Sequence, residues 1–162
     1  MAIRRLLPTG GGTGMTSTRD RLDALVGEWE IDAHWLAGGR ARFEWIEDGA
    51  FLLQRAEAEL PDDAAPGLVE NFPFPIRTVI GLDDFSQTFS YLYSDGRGVS
   101  RVAQMTLEGR DWKIWDRADA AFFQRFTGTF SEDGSEISGR WERSADGDEW
   151  ELDFEISYSK VS

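Results

Sequence analysis

From Gly27 onward, apolar and polar residues alternate with a period of two, and turn-forming residues interrupt this alternation about every ten positions. The first run carries its apolar residues at Trp29, Ile31, Ala33 and Trp35. This pattern is typical of a strand with one face in a core and one in water. The interruptions contain pairs such as Asp48-Gly49 and Asp95-Gly96, which favour hairpin turns. No helix-period stretch of useful length follows Val26, so folds that alternate strands with helices are excluded.

The connections between the predicted strands are nearly all of hairpin length, which favours an up-and-down meander. A meander of about ten strands leaves two exposed edges unless it closes on itself. We therefore predict an all-β fold, a closed antiparallel up-and-down barrel of about ten strands. A short N-terminal helical plug should precede it, because Thr18 is a typical N-cap and Leu22, Leu25 and Val26 follow it. A Greek-key sandwich is the alternative, but it needs longer crossovers than most of these turns allow.

A chain of 162 residues suits one domain. We expect residues 18–162 to form it and residues 1–17 to form a flexible tail, with Met15 as an alternative start. The glycine-rich residues 10–14 lack the preceding strand that a phosphate-binding loop requires. Residues 4–7 are too short and too weakly apolar for a secretory signal, so we expect a cytoplasmic protein.

The composition argues against several partners. Seventeen Lys and Arg against 30 Asp and Glu give a net charge of −13, which disfavours nucleic acid and anionic membrane surfaces. No apolar run approaches the roughly 18 residues of a transmembrane helix. The chain has no Cys, which excludes thiolate zinc sites and a Cys nucleophile. Its acidic turns do not match a twelve-residue calcium loop, so we expect no bound metal.

Gly27-Glu28-Trp29, placed just after the predicted plug, resembles the Gly-x-Trp signature of the calycin barrels, which include lipocalins and fatty-acid-binding proteins. In that superfamily the Trp lies at the closed end of the barrel, under the plug. Longer segments are similar to an uncharacterised bacterial family of lipocalin-like domains of unknown function: Tyr93-Ser94-Asp95-Gly96-Arg97-Gly98-Val99, Trp112-Lys113-Ile114-Trp115, Phe123-Gln124-Arg125-Phe126, Ile137-Ser138-Gly139-Arg140-Trp141-Glu142 and Asp146-Gly147-Asp148-Glu149-Trp150-Glu151-Leu152-Asp153-Phe154. This resemblance covers roughly residues 22–161 and implies the barrel but no activity.

Nitrobindin-type haem barrels share the Gly-x-Trp opening and hold iron through a His near the C-terminus. The only His here is His34, in the first predicted strand. It shares a face with Glu28, Glu30 and Asp32, so the alternation places it outside the barrel. We therefore expect no haem or other cofactor. The same placement argues against a zinc site or a catalytic triad that depends on His.

The candidate site consists of polar and aromatic residues at predicted inward positions. These cavity candidates are Trp35, Trp45, Gln54, Tyr91, Tyr93, Arg101, Met105, Asp116 and Gln124. Arg101 is the one charged residue on an otherwise apolar strand face. A buried Arg needs a partner, which is either the neighbouring Asp116 or an anionic ligand.

The alternation also assigns the remaining aromatic and acidic residues to faces. The predicted inward Trp residues are Trp29, Trp35, Trp45, Trp112, Trp141 and Trp150, whereas Trp115 faces outward. In the last strand, an outward acidic stripe of Glu149, Glu151, Asp153 and Glu155 is expected opposite Trp150, Leu152, Phe154 and Ile156. Residues 61–75 interrupt the strand rhythm with four of the five prolines, and their Phe72 and Phe74 are candidates for a lid or a dimer contact.

Three functions remain open at this point. The first is binding of a small, mostly apolar ligand inside the barrel, with a ligand carboxylate held by Arg101. The second is a structural or interaction protein with a filled barrel that forms a homodimer. The third is an enzyme that uses Tyr91, Tyr93, Arg101 or Asp116 as acid–base groups. Small inward residues such as Ala56 and Ala103 permit either a filled interior or an empty one.

Overall fold

Ten antiparallel strands form one closed barrel in the computed structural model, which describes residues 17–116 and 122–162. The strands are β1 (Gly27–Asp32), β2 (Ala37–Ile46), β3 (Phe51–Glu59), β4 (Ile76–Asp83), β5 (Thr88–Ser94), β6 (Ser100–Glu108), β7 (Asp111–Asp116), β8 (Phe123–Phe130), β9 (Glu136–Ser144) and β10 (Glu151–Lys160). Each strand pairs with its neighbours in sequence, and β1 pairs with β10 to close the ring. The predicted closed up-and-down barrel is confirmed. Apart from Ser17, the predicted tail lies outside the described residues.

A 3₁₀ helix, Arg19–Ala24, forms the plug at one end of the barrel. Leu22 and Leu25 are fully buried beneath the first strand. The indole Nε1 of Trp29 donates a 2.8 Å hydrogen bond to the Leu25 carbonyl oxygen, and its ring meets Phe130 edge-on. Trp29 thus lies at the closed end of the barrel, where the Gly-x-Trp motif places it.

Gly27 is required at the start of β1 for two reasons. Its φ is 129°, a backbone region that residues with a Cβ rarely adopt. A Cβ at this position would also collide with the carbonyl oxygen of Ser162, which accepts a hydrogen bond from the Glu28 N–H. The Gly of the motif therefore allows the C-terminal residues to pass close beside β1.

The closed half of the barrel is filled by a packed aromatic layer. Trp112 lies edge-on to Phe126 at 4.8 Å and to Phe43 at 6.3 Å between ring centroids. Phe89 and Met105 are fully buried in the same half. These side chains pack against one another between the plug and the other half of the barrel.

A β-bulge in β10 overturns part of the predicted face assignment. Leu152 pairs with Glu142 and Phe154 pairs with Trp141, so Asp153 is an extra residue in the ladder. Leu152 is 48% exposed instead of inward, and Trp150 lies outside with the guanidinium of Arg125 4.0 Å above its ring. The predictions for Trp150, Leu152 and Asp153 are wrong, because the inserted residue reverses the inward and outward alternation of the side chains that precede it.

The opposite end of the barrel is open and carries the longer connections. The segment between β3 and β4 contains a short helix, α1 (Pro66–Asn71), which the sequence pattern did not predict. Pro66 begins this helix, where a missing N–H costs nothing. No helix among the described residues is long and apolar enough to cross a membrane.

Candidate functional site

A cavity of about 690 Å³ opens at the end of the barrel opposite the plug. This volume lies within the range of about 300–1,000 Å³ that is typical of small-molecule sites. Two small inward residues, Ala56 on β3 and Ala103 on β6, line it and leave room that larger side chains would occupy. The barrel is thus packed with side chains at its closed end and encloses a cavity at its open end.

An aromatic cap, which consists of Trp35, Phe72, Phe74 and Phe154, covers part of the mouth of the cavity. The Trp35 ring centroid lies 6.1 Å from that of Phe72, 5.9 Å from that of Phe74 and 5.2 Å from that of Phe154. The indole Nε1 of Trp35 is enclosed and has no hydrogen-bond partner among the described residues. Because Phe72 and Phe74 are half-buried against Trp35, this packing favours the lid interpretation over an exposed dimer contact.

The position of His34 differs from the expectation. The strand β1 ends at Asp32, so His34 and Trp35 lie in the turn to β2 and not on the strand itself. His34 is exposed, as the alternation predicts, but it also lines the mouth of the cavity, which the alternation does not predict. No group of three potential metal-ligating side chains occurs among residues 17–116 and 122–162.

At the rim of the cavity, Arg101, Asp116 and Gln124 form a hydrogen-bonded chain. The Nη1 of Arg101 donates to the side-chain Oε1 of Gln124 at 2.8 Å, and the Gln124 backbone N–H donates to Oδ2 of Asp116 at 2.5 Å. Burial raises the pKa of Asp116, although the Gln124 N–H and the nearby Arg101 offset part of the rise. The predicted pairing of Arg101 with Asp116 is therefore indirect, with Gln124 between them.

A second polar network at the rim joins the predicted cavity residue Tyr93 to Asp95 and Arg97, which sequence reasoning treated only as part of a turn. Tyr93 donates its hydroxyl to Oδ2 of Asp95 at 2.7 Å, and Nη2 of Arg97 donates to the same oxygen at 2.7 Å. Burial favours the neutral form of Asp95, but the hydrogen bonds from Arg97 and Tyr93 outweigh it and lower its pKa to about 2. Burial, together with the Asp95 carboxylate, raises the pKa of Tyr93. The positive charge of Arg97 is thus already compensated.

A polar floor, formed by Gln54, Tyr91 and Tyr158, lies where the cavity meets the packed layer. All three line the cavity, and they are 5%, 7% and 7% exposed. Burial raises the pKa of Tyr91 to about 12 and also raises that of Tyr158, so both hydroxyls are neutral at pH 7. Tyr158 was missed as a site residue, although continuing the alternation from Ile156 places it inward.

Most of the predicted cavity residues come together here. The candidates that line the cavity are Trp35, Gln54, Tyr91, Tyr93, Arg101, Asp116 and Gln124, and Phe74 of the predicted lid lines it too. Phe72 contacts Trp35 and Phe74 in the aromatic cap without lining the cavity itself. The lining also includes His34, Arg97, Trp115, Trp141, Arg143 and Asp153, none of which was predicted as a cavity residue.

Two candidates lie at the closed end instead. The Nε1 of Trp45 donates to Oδ1 of Asp23 in the plug at 2.8 Å, and the guanidinium of Arg19 lies over its ring. Met105 is fully buried in the packed half of the barrel. Both were expected in the cavity because alternation identifies the face of a strand but not the height of a residue along the barrel axis.

Comparison of the sequence with models of known protein families gave no match, and comparison with curated proteins found no similar sequence.

Proposed function

We propose that this protein is a calycin-like barrel of the cytoplasm that binds a small, mostly apolar ligand in its open cavity, with an acidic group of the ligand held at Arg101. The observation that carries the proposal is the cavity of about 690 Å³, whose wall is more apolar than polar and contains several aromatic side chains. At about 30 Å³ per water molecule, a cavity of this size has room for roughly 20 waters or a ligand of comparable volume.

The aromatic wall favours an apolar ligand body. Trp35, Phe74 and Phe154 present ring faces and edges at the mouth, and Trp141 and Tyr91 continue the wall. Removing about 200 Å² of apolar ligand surface from water contributes about 5 kcal/mol, before the cost of immobilising the ligand. A few polar groups placed on such a wall then determine orientation and selectivity.

Arg101 is the cation best suited to an acidic ligand group. Arg97 is paired with Asp95, and Arg143 lies 3.3 Å from Glu151 and 3.9 Å from Asp153. The described hydrogen-bond partner of Arg101 is the neutral side-chain amide of Gln124, and the nearby Asp116 is linked to Arg101 only through Gln124. The guanidinium can therefore also bind a carboxylate, sulfonate or phosphate.

The proposal is tested by titrating the full chain with 1-anilinonaphthalene-8-sulfonate, an anionic aromatic probe whose fluorescence rises in apolar surroundings. Ala103→Phe fills the cavity and should weaken binding by at least about tenfold. Its control, Ser138→Phe, adds the same ring to an exposed position on β9 and should bind as the parent chain does.

The contribution of Arg101 is measured in the same titration. Arg101→Met should weaken probe binding by roughly three- to tenfold, and the loss should shrink at high salt. Arg110→Met, in the β6–β7 turn at the closed end, is the matched control. Unchanged binding of the probe to Ala103→Phe would refute interior binding.

The proposal also predicts that native mass spectrometry of protein purified from its natural source detects a retained small molecule.

A further inference from the structure

Tyr91 and Tyr158 face each other across the interior of the barrel. They belong to β5 and β10, which lie half-way round the ring of ten strands from each other. Tyr91 lies close enough to Tyr158 for a charge on Tyr91 to raise the pKa of Tyr158. The Tyr158 ring lies 5.8 Å from that of Trp112, in the packed layer that does not line the cavity. Two phenol groups therefore lie at the inner limit of the cavity.

Gln54 adds a third polar group at this level. Its register partner on β2 is Phe43, which packs directly on Trp112. The side chain lines the cavity, and its Oε1 has no hydrogen-bond partner among the described residues. Leaving a buried amide without a partner is unfavourable, and this side chain can turn either its N–H₂ or its oxygen toward a ligand, since its last torsion is soft.

The charged groups that line the cavity lie at a different height. Arg97, Arg101, Asp116 and Arg143 are in the β5–β6 turn or near the strand ends at the open end of the barrel, and Asp153 is in the bulge near the start of β10. The polar floor contains only neutral groups at pH 7. A charged ligand group placed there would lose its hydration without gaining a counter-charge, whereas an uncharged polar group would gain hydrogen bonds.

We infer that the ligand carries an uncharged hydrogen-bonding group, a phenol, alcohol or amide, at the end that enters first, and that this group binds to Gln54, Tyr91 and Tyr158. This inference rests on the proposed ligand binding and names the ligand class: a neutral polar inner end, an apolar or aromatic body, and any acidic group at the rim. A simple fatty acid that enters tail-first fits less well, because its methyl end would meet three polar groups.

Three probes with one ring system and different end groups test this inference: naphthalene, 2-naphthol and 2-naphthoate. Dissociation constants are measured by the quenching of Trp fluorescence in the full chain at pH 7. We expect 2-naphthol to bind at least about tenfold more tightly than naphthalene. In Gln54→Leu and in Tyr158→Phe this preference should fall below about threefold, while naphthalene binds as well as before or better. Thr129→Leu, at an exposed position of β8 near the closed end, is the control and should keep the full preference.

The outcomes separate the inference from the proposal on which it rests. Equal binding of naphthalene and 2-naphthol, or a preference that survives both variants, overturns the inference but leaves interior binding intact. A 2-naphthoate affinity that depends on Gln54 and Tyr158 more than on Arg101 also overturns it, because the acid would then lie on the floor. Failure of all three probes to bind contradicts interior binding of this ligand size as well. Circular dichroism of each variant confirms that it is folded, and Tyr158→Phe removes a single oxygen atom.

Discussion

Asp95 is a carboxyl group near the cavity whose ionisation is tied to folding. Its side chain is 0% exposed, and its Oδ2 accepts hydrogen bonds from both Tyr93 and Arg97. The pKa of its carboxyl falls from 3.8 to about 2 in the folded protein. At about 1.4 kcal/mol per pKa unit, the ionised carboxylate therefore contributes about 2 kcal/mol to the free energy of unfolding at pH 7.

The sign of the pH dependence follows from the direction of this shift. Because the pKa is lowered in the folded state, the contribution is complete above the unfolded value of 3.8 and is lost as pH falls through about 2. We expect Asp95→Asn to lower the free energy of unfolding by about 2 kcal/mol at pH 7, by roughly half of that at pH 3, and by little at pH 2.

Urea denaturation of both chains, followed by Trp fluorescence at several pH values between 7 and 2, measures this difference. Asp84→Asn, an exposed carboxylate in the β4–β5 turn at the closed end, is the control and should change stability by less than about 0.5 kcal/mol. The role given to this network would be refuted if Asp95→Asn and the parent chain had the same free energy of unfolding at pH 7. It would also be refuted if the difference between their free energies of unfolding stayed constant down to pH 2.

Three further changes test other parts of the structure. Gly27→Ala should destabilise the protein by about 2–3 kcal/mol in thermal unfolding, clearly more than Gly38→Ala, because Gly38 has a positive φ but no atom near its absent Cβ. Trp29→Phe should cost about 2 kcal/mol in urea denaturation, since it removes the hydrogen bond to the Leu25 carbonyl and part of a fully buried ring; a cost near zero would contradict this packing. Phe74→Ala should raise both the association and the dissociation rate of 1-anilinonaphthalene-8-sulfonate in stopped-flow fluorescence, since it opens the aromatic cap; unchanged rates would remove Phe74 from the entry path.

The barrel could be predicted from the sequence because its evidence is local and repeated. Most strands alternate between a core face and a wet face, and turn residues separate them, so many segments indicate the same architecture independently. The errors occur where the local pattern does not reveal a change of geometry. Asp153 is an inserted residue that resembles any other outward acid. His34 lies beyond the end of β1, although the alternation of apolar and polar residues continues past that end.

The cavity itself was less predictable, because it depends on height along the barrel axis as well as on strand face. Trp45 and Met105 point inward, yet Trp45 lies beside the plug and Met105 lies in the packed half of the barrel. Tyr91, on the strand next to that of Met105, lines the cavity instead. The hydrogen bonds of Asp95 with Tyr93 and Arg97 were not predicted, because Asp and Gly in this segment are already accounted for by the turn that they form.

The pairing of β1 with β10 has a consequence for how this protein acquires its cavity. Every other ladder joins strands that follow each other in sequence, whereas this one joins Trp29 to Lys160 and must wait for nearly the whole chain. Closing so long a loop carries the largest entropic cost of any ladder, so we expect ring closure to be a late and slow step in folding. Tyr158 meets Tyr91 only in the closed ring, so a ligand that bridges the polar floor would bind the completed barrel and not an open meander. Such a ligand would stabilise the β1–β10 ladder by an amount that rises with the logarithm of its free concentration. Slower hydrogen exchange of the amides of Glu30 and Ser159, which are register partners in this ladder, would report its binding.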